Sequence, residues 1–134
     1  MALSYSTTIR TNRLTQVSNA TSGGSTAAKL RIYSGTRPAT GGTVTTLLAE
    51  LTFSTTPFSN ASQTLTANTI TGTTSAPATG TATWGRVVDS STTFVMDFDV
   101  SSTGGSGDLK LSSVAISSGQ SVDCSSFVIT AGNA

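Results

Sequence analysis

The stretch TGTATWGRVVDSSTTFVMDFDV, residues 79–100, decides the fold that we predict for this chain. In its second half, apolar side chains occupy every second position: Phe94, Met96, Phe98 and Val100. A period of two is typical of a β-strand with one dry face and one wet face. The first half places Trp84 and Arg86 on one face, and the DSST run at 89–92 favours a turn. We therefore predict a β-hairpin that carries the only tryptophan and forms the centre of the core.

The composition extends this prediction to the whole chain. Threonine and serine supply 27 and 22 of the 134 residues, whereas only 10% of the residues are charged. Strand formers and turn formers thus dominate, and apolar residues recur in alternating clusters, which argues against disorder. Strands are expected about every 8–15 residues, the spacing of an all-β domain. The predicted fold is an antiparallel β-sandwich of about seven or eight strands with one short N-terminal α-helix.

A helix is predicted only at the N-terminus, over residues 4–19, with Ser4 as its N-cap. Its apolar positions fall near one face and two arginines lie beside them: Tyr5, Ile9, Leu14 and Val17, with Arg10 and Arg13. A helix of this composition is marginal in isolation and has to dock on another surface. We expect it to pack either across its own sheet or on a neighbouring subunit.

The chain after the predicted helix contains two glycine-rich runs. It also has two places where the apolar residues switch between odd and even positions. NATSGGST at 19–26 has the composition of a flexible linker, which separates an N-terminal arm, residues 1–22, from a β-sandwich domain, residues 23–134. SSTGGSG at 101–107 reads as the most mobile loop. The parity of the apolar residues changes at 112–113, which predicts a β-bulge, and again after Cys124, which predicts either a second bulge or a strand that crosses the sandwich.

The charge balance excludes several classes of partner. The net charge is +1, too small to predict binding to nucleic acid or to a membrane surface. Residues 1–50 hold five basic residues against one acidic residue, whereas residues 51–134 hold two against five. This asymmetry is either chance or a basic front that meets an acidic back between subunits.

No apolar run is long enough to span a bilayer, and the N-terminus lacks the apolar core of a secretion signal, so we expect synthesis in the cytosol.

The residues needed for catalysis are scarce. The chain has no histidine and one cysteine, which excludes Cys/His metal sites and the Ser-His and Cys-His nucleophiles. Asp97 and Asp99 form the only close carboxylate pair, which suits a calcium ion or a glycosidase, but two solvated acids on a wet face are commoner. We expect Cys124 to be a buried structural thiol. We therefore predict no enzymatic activity and no cofactor.

Three aromatic residues, Trp84, Tyr33 and Tyr5, are candidate platforms for stacking on a sugar or a base. Trp84 is expected inside the core, because it lies in the central strand. Tyr33 is expected to face outward together with Arg31, which makes it the better surface candidate. One exposed aromatic side chain does not make a binding site by itself.

Four stretches together carry a resemblance to known proteins: MALSYSTTIRTNRL (1–14), KLRIYSGTRPATGGTVTTLLAELTFS (29–54), ATGTATWGRVVDSSTTFVMDFDV (78–100) and SSFVITAGNA (125–134). In this order they resemble small structural proteins of tailed bacteriophages. The resemblance implies a structural role in the virion, and we expect capsid decoration, or cement, rather than a tail role. It brings no active-site motif with it.

A decoration protein of this kind would bind the major capsid protein on the capsid surface, after synthesis in the host cytoplasm. We expect a homo-oligomer, with a trimer favoured, because trimers suit the local three-fold positions of a capsid. Many weak contacts over a lattice then give high avidity. A tail, baseplate or adaptor protein remains an alternative, as does a carbohydrate-binding module for host attachment.

The partner-binding residues expected on this basis form two groups. The first is the N-terminal clamp: Tyr5, Ile9, Arg10, Arg13 and Leu14. The second is a patch on and after the first strand: Arg31, Tyr33 and Arg37.

Overall fold

The computed structural model describes residues 3–24 and 26–131, which form one helix and eleven strands. The helix is α1 (Thr7–Thr21), and the strands are β1 (Lys29–Tyr33), β2 (Leu47–Phe53), β3 (Phe58–Ala61), β4 (Thr64–Ala67), β5 (Ile70–Thr71), β6 (Gly80–Thr81), β7 (Trp84–Val88), β8 (Phe94–Ser102), β9 (Leu109–Leu111), β10 (Ala115–Ile116) and β11 (Cys124–Thr130). The predicted class, all-β with one short N-terminal helix, is confirmed. The first two residues of the predicted arm, residue 25 of the linker and residues 132–134 lie outside the described residues.

Nine strands form one curled sheet in the order β3-β4-β11-β9-β8-β7-β1-β2-β5. Strands β4 and β5 are separated by only two residues, yet β4 pairs with β11 and β5 pairs with β2. The segment 64–71 therefore brings the two ends of the sheet together, and the sheet wraps around its own inner face. Strands β6 and β10 form a separate two-stranded sheet.

The core lies on the inner face of the curled sheet. Buried apolar side chains from the strands and from α1 fill it, among them Leu14, Leu30, Ile32, Leu51, Val87, Phe98, Leu109 and Phe127. Phe98 and Phe127 pack with their ring centroids 4.7 Å apart, within the range for a favourable aromatic pair. This packing joins the predicted central hairpin to the last strand.

The predicted hairpin of β7 and β8 is present. The two strands pair antiparallel, with Trp84 opposite Asp99. Asp89 ends the first strand, and its carboxylate accepts hydrogen bonds from the backbone N–H groups of Ser91 and Thr93, both at 2.8 Å. This local bonding is the reason that the DSST run turns the chain.

The alternation in β8 does not carry through to Phe94. The register shifts between Val87 and Val88, so that Val88 lies opposite Phe94 while Val87 lies opposite Met96. A one-residue shift moves a side chain to the other face of the sheet, and Phe94 lies against the guanidinium of Arg86. All five residues of β7 are buried, so both faces of this strand are covered.

One pair of neighbouring strands, β8 and β9, is parallel, with Val100 opposite Leu109. The expectation of a purely antiparallel sheet is wrong at this point. Only residues 103–108 connect the two strands, far fewer than an ordinary parallel crossover needs. The chain therefore makes a tight coil here rather than a helical crossover.

Hydrogen bonds hold that coil together. The N–H of Gly107 donates to Ser101 Oγ at 3.0 Å, and Lys110 Nζ donates to the carbonyl oxygen of Gly107 at 3.0 Å. A Cβ at Gly107 would lie 2.7 Å from the backbone nitrogen of Ser101. Glycine is therefore needed at position 107 for close approach of the backbone.

The helix begins at Thr7, and its N-cap is Ser6 rather than Ser4. Ser6 has extended dihedral angles, and its Oγ accepts a hydrogen bond from the N–H of Ile9 at 3.3 Å. The helix packs on β3 and β4, where Asn60 Nδ2 donates to Thr15 Oγ1 at 2.8 Å. Of the two docking surfaces considered from the sequence, its own sheet is the one that this helix contacts.

The two changes of apolar parity have different causes. A register shift between Cys124 and Ser126 confirms the bulge predicted in β11. The change at 112–113 is instead a break, because β9 ends at Leu111 and the chain continues into β10 of the second sheet.

Candidate interaction surfaces

The outward side of α1 carries two of the predicted clamp residues, Ile9 and Arg13, and a third, Tyr5, lies just before the helix. Tyr5, Ile9 and Arg13 follow one another at intervals of four, and we call them the outer stripe. Ile9 is 47% exposed, and the Arg13 guanidinium lies 5.2 Å from the centroid of the Tyr5 ring, a cation–π contact. Leu3, just before the stripe, is 59% exposed. The first turn of the helix contains no acidic residue.

The other two clamp residues face the domain itself. Leu14 is buried in the core, and Arg10 donates from Nη2 to the carbonyl oxygen of Ala131 at 2.8 Å. The helical period explains the division, because Arg10, Leu14 and Val17 share the inner face. Leu14 and Arg10 therefore attach the helix to its own sheet, and three of the five predicted clamp residues remain for a partner.

A row of four charged residues crosses the outer face of β2, β1, β7 and β8. Cross-strand register places them side by side in the order Glu50, Arg31, Arg86 and Asp97. Arg31 Nε contacts Glu50 Oε2 at 2.7 Å, and Arg86 binds both carboxylate oxygens of Asp97 at 2.7 and 3.0 Å. Each arginine thus has its own acid, in the geometry that gives strong charge-assisted hydrogen bonds.

Asp97 differs from the solvated acid that we expected. Its side chain is 2% exposed, and that of Arg86 is 10% exposed. The hydrogen bonds that Arg86 donates to Asp97 raise the pKa of Arg86 above its ordinary value, although burial acts in the opposite direction. The pair is therefore a buried ion pair and not a pair of free groups.

Aromatic rings continue from this ion pair along the same face. Tyr33 stacks on Trp84 with centroids 4.5 Å apart and planes 16° apart. The Arg86 guanidinium lies 5.5 Å from the Trp84 ring and 5.1 Å from the Phe94 ring. We call these four side chains the stack. Burial raises the pKa of the Tyr33 phenol, against the lowering effect of Arg31 and Arg86.

The loop between β1 and β2, residues 34–46, lies over the stack, and we call it the strap. Gly41 N–H donates to Asp97 Oδ2 at 3.2 Å, and Arg86 Nη2 donates to the carbonyl oxygen of Gly42 at 3.0 Å. Trp84 Nε1 donates to Thr45 Oγ1 at 3.1 Å. Gly41 has a φ of +71°, a conformation that favours glycine. The strap is thus bound to both members of the buried ion pair, to Asp97 through Gly41 and to Arg86 through Gly42.

The strap changes the second predicted patch. Tyr33 lies on the outer face of the sheet, as expected, but it is buried beneath its neighbours, with 3% exposure. Arg31 is bound to Glu50, and Arg37 forms an exposed ion pair with Asp99 at 3.1 Å. The expectation that Tyr33 is an exposed contact beside Arg31 is therefore wrong, whereas Arg37 is well exposed.

The acidic pair of β8 is divided between two arginines. Asp97 binds Arg86, and Asp99 binds Arg37. Within residues 3–24 and 26–131, no three histidine, cysteine or acidic side chains form a group suited to a metal ion. The single helix in that part of the chain is too short and too polar to cross a membrane.

No family model, no curated protein and no solved structure matches this chain. On the outer stripe of α1, apolar and cationic groups are exposed side by side, which is the combination that protein interfaces favour.

Proposed function

We propose that this chain is a non-enzymatic structural protein of a bacteriophage virion, which decorates the capsid and stabilises it by bridging subunits of the major capsid protein. The observation that carries the proposal is the exposed outer stripe, together with Leu3. Ile9 presents apolar surface about one helical turn before Arg13, and Leu3 is an exposed apolar residue before the helix. Arg13 has no acidic neighbour among the described ion pairs. These groups suit an apolar and acidic surface on a partner.

The rest of the domain supports a structural role. Arg31 and Arg86 form ion pairs on the sheet, and the strap and the stack cover one sheet face. A rigid domain loses little conformational freedom on binding, so a modest contact surface suffices when it is repeated over a lattice. In this proposal the protein lies on the capsid surface as a homo-oligomer, a trimer being favoured, and has neither nucleic acid nor a membrane as its partner.

The carbohydrate-binding alternative loses the residues on which it was based. Trp84 is fully buried and Tyr33 nearly so. Their rings stack on each other rather than presenting a face to solvent. A sugar would have to displace the strap before it reached either ring.

Binding of the purified protein to capsids of the phage that encodes it tests the proposal. The double variant Ile9→Ser, Arg13→Ser removes the apolar and cationic groups of the outer stripe. We expect it to sediment with capsids at least about 10-fold more weakly, a loss of about 1.4 kcal/mol or more, because interface centres carry most of the binding energy.

The matched control is Val44→Ser on the strap. Val44 is 42% exposed, close to the exposure of Ile9, and lies outside the outer stripe. This variant is expected to bind capsids like the native protein. Native-like binding by the double variant, with an unchanged melting temperature, would contradict the proposal.

A further inference from the structure

The strap contributes no side chain to the core, although it covers the stack. Of residues 35–46, only Pro38 and Gly42 are half-buried, and the others are exposed. None of them belongs to the buried apolar cluster, which passes from Ile32 to Leu48. A segment with few buried apolar contacts opens at a lower free energy than the strands of a core. Polar contacts therefore hold the strap in its closed position.

Three hydrogen bonds join the strap to side chains of β7 and β8, through Gly41, Gly42 and Thr45. Two of those side chains, Arg86 and Asp97, also bind each other, so their ion pair is made within the sheet itself. A hydrogen bond has a small net free energy, because water takes the place of the partner that is lost when the bond breaks. The strap can thus lift while β7 and β8 stay paired.

The two ends of the strap meet in a base that is tied to the sheet. The N–H of Ser34 donates to the carbonyl oxygen of Thr46 at 3.1 Å, and Thr45 Oγ1 donates to the carbonyl oxygen of Ser34. The same Thr45 oxygen accepts the indole N–H of Trp84, which ties the base to β7. Residues 34, 45 and 46 therefore stay with the sheet when the rest of the strap moves.

The part beyond the base, residues 36–44, is compact within itself. The N–H of Gly42 donates to the carbonyl oxygen of Ala39 at 2.7 Å, and a Cβ at position 42 would lie 2.9 Å from Pro38 Cβ. Residues 38–42 thus form one tight turn that moves as a unit. Its ties to the sheet are the two hydrogen bonds to the buried ion pair and the exposed ion pair of Arg37 with Asp99.

We propose that residues 36–44 form a lid, which opens without unfolding of the sheet and exposes the ion pair of Arg86 and Asp97 to water. Of the three ion pairs among the described residues, this is the one in which both side chains are at most 10% exposed. The lid therefore gates access to it. The inference does not depend on capsid binding, since the lid and the outer stripe share no residue.

Native-state hydrogen exchange, followed by NMR at urea concentrations below the unfolding transition, tests the inference. The Gly41 amide donates to Asp97, so its exchange reports the loss of that contact. We expect its protection factor to be at least about 10-fold lower than those of the amides of β1, a strand with paired neighbours on both sides. Its exchange should depend little on urea, because lifting the lid exposes little surface. The indole N–H of Trp84, bound to the base, should keep the protection of the sheet.

Two arginine variants place the effect at the lid. Arg37→Met removes the exposed tether and should speed exchange of the Gly41 amide by about 2- to 5-fold. The matched control Arg13→Met removes an exposed arginine outside the lid and should leave that exchange unchanged. Equal protection and equal urea dependence of Gly41 and β1 would overturn the inference, because the lid would then open only with the whole sheet. Equal acceleration of the Gly41 amide by both variants would overturn it as well.

Discussion

At the scale of single residues, the ion pair of Arg86 and Asp97 is the most consequential contact. Both side chains are buried, and Arg86 also binds the strap and lies between two aromatic rings. By contrast, the pair of Arg37 and Asp99 has side-chain exposures of 44% and 64%. Both pairs join an arginine to an aspartate of β8, but they differ in burial.

We predict that Arg86→Met lowers the free energy of unfolding by about 3–5 kcal/mol, because it leaves the buried carboxylate of Asp97 without a partner. The matched change Arg37→Met should cost at most about 1 kcal/mol, since water screens an exposed pair. Urea unfolding of both variants measures the difference. Equal losses would show that burial does not set the strength of these pairs.

Cys124 gives a second prediction at this scale. Burial raises the pKa of its thiol from 9.0 to about 11. At pH 8 the folded protein then carries about 100-fold less thiolate than a free thiol with the unshifted pKa, and thiolate is the reactive form. Dithiobis(nitrobenzoate) should therefore modify native Cys124 far more slowly than the urea-unfolded chain.

The same shift gives a pH dependence with a definite sign. The folded state holds the thiol proton more tightly, so this contribution to stability is complete below pH 9 and is lost as the pH rises to about 11. Cys124→Ala should lose less stability than the native protein over this interval. If dithiobis(nitrobenzoate) modified native Cys124 as fast as it modifies the unfolded chain, the raised pKa of the thiol would be refuted.

At the scale of elements, the coil between β8 and β9 depends on glycine. The Cβ of an alanine at position 107 would meet backbone atoms of Val100 and Ser101 at 2.7–2.8 Å, whereas at Gly104 it would meet nothing within 4 Å. We predict that Gly107→Ala lowers the free energy of unfolding by about 1–3 kcal/mol through overpacking. Gly104→Ala should be close to neutral in the same chemical denaturation experiment. Similar effects of the two changes would mean that the coil is not closely packed.

The elements that follow from local pattern were predictable from the sequence. Alternation in 94–100 and the DSST turn define the β7–β8 hairpin, and the parity change after Cys124 locates the bulge in β11. The β8–β9 coil was not predictable, because its parallel register depends on contacts that SSTGGSG does not encode as a pattern. Ser4 and Ser6 are equally good caps by residue type, which is why the helix start was misplaced.

The surfaces were harder to predict than the elements. The outward position of Ile9 and Arg13 follows from helical spacing, whereas the burial of Tyr33 depends on packing against Trp84 and on the strap. The strap meets β7 and β8 through contacts of Gly41, Gly42 and Thr45 that are separated from their partners by 39 residues or more. Such long-range contacts leave no periodic signal in one sequence.

At the scale of the whole molecule, α1 belongs to the core of the sheet domain, although its outer stripe faces away. Leu14 is 5% exposed and Ile9 is 47% exposed, although the two residues lie only five positions apart in the chain. We predict that Leu14→Ala costs about 2–5 kcal/mol, whereas Ile9→Ala changes the free energy of unfolding by less than about 0.5 kcal/mol. Thermal and urea unfolding measure both. A neutral Leu14→Ala would show that the arm folds separately from the sheet.

This coupling affects how the proposed function is tested. Deletion of residues 1–19 would remove Leu14 from the core and the Arg10 contact with Ala131, so lost binding could reflect unfolding. The Ile9→Ser, Arg13→Ser variant changes only the outer stripe. It therefore separates binding from folding, which the deletion does not.

The central claim, that this chain decorates a capsid, is tested most directly by gold labelling of intact virions with an antibody to the protein, viewed by electron microscopy. The account predicts gold over the whole head at a regular surface density. Gold confined to the tail or its tip, or virions without any label, would contradict it.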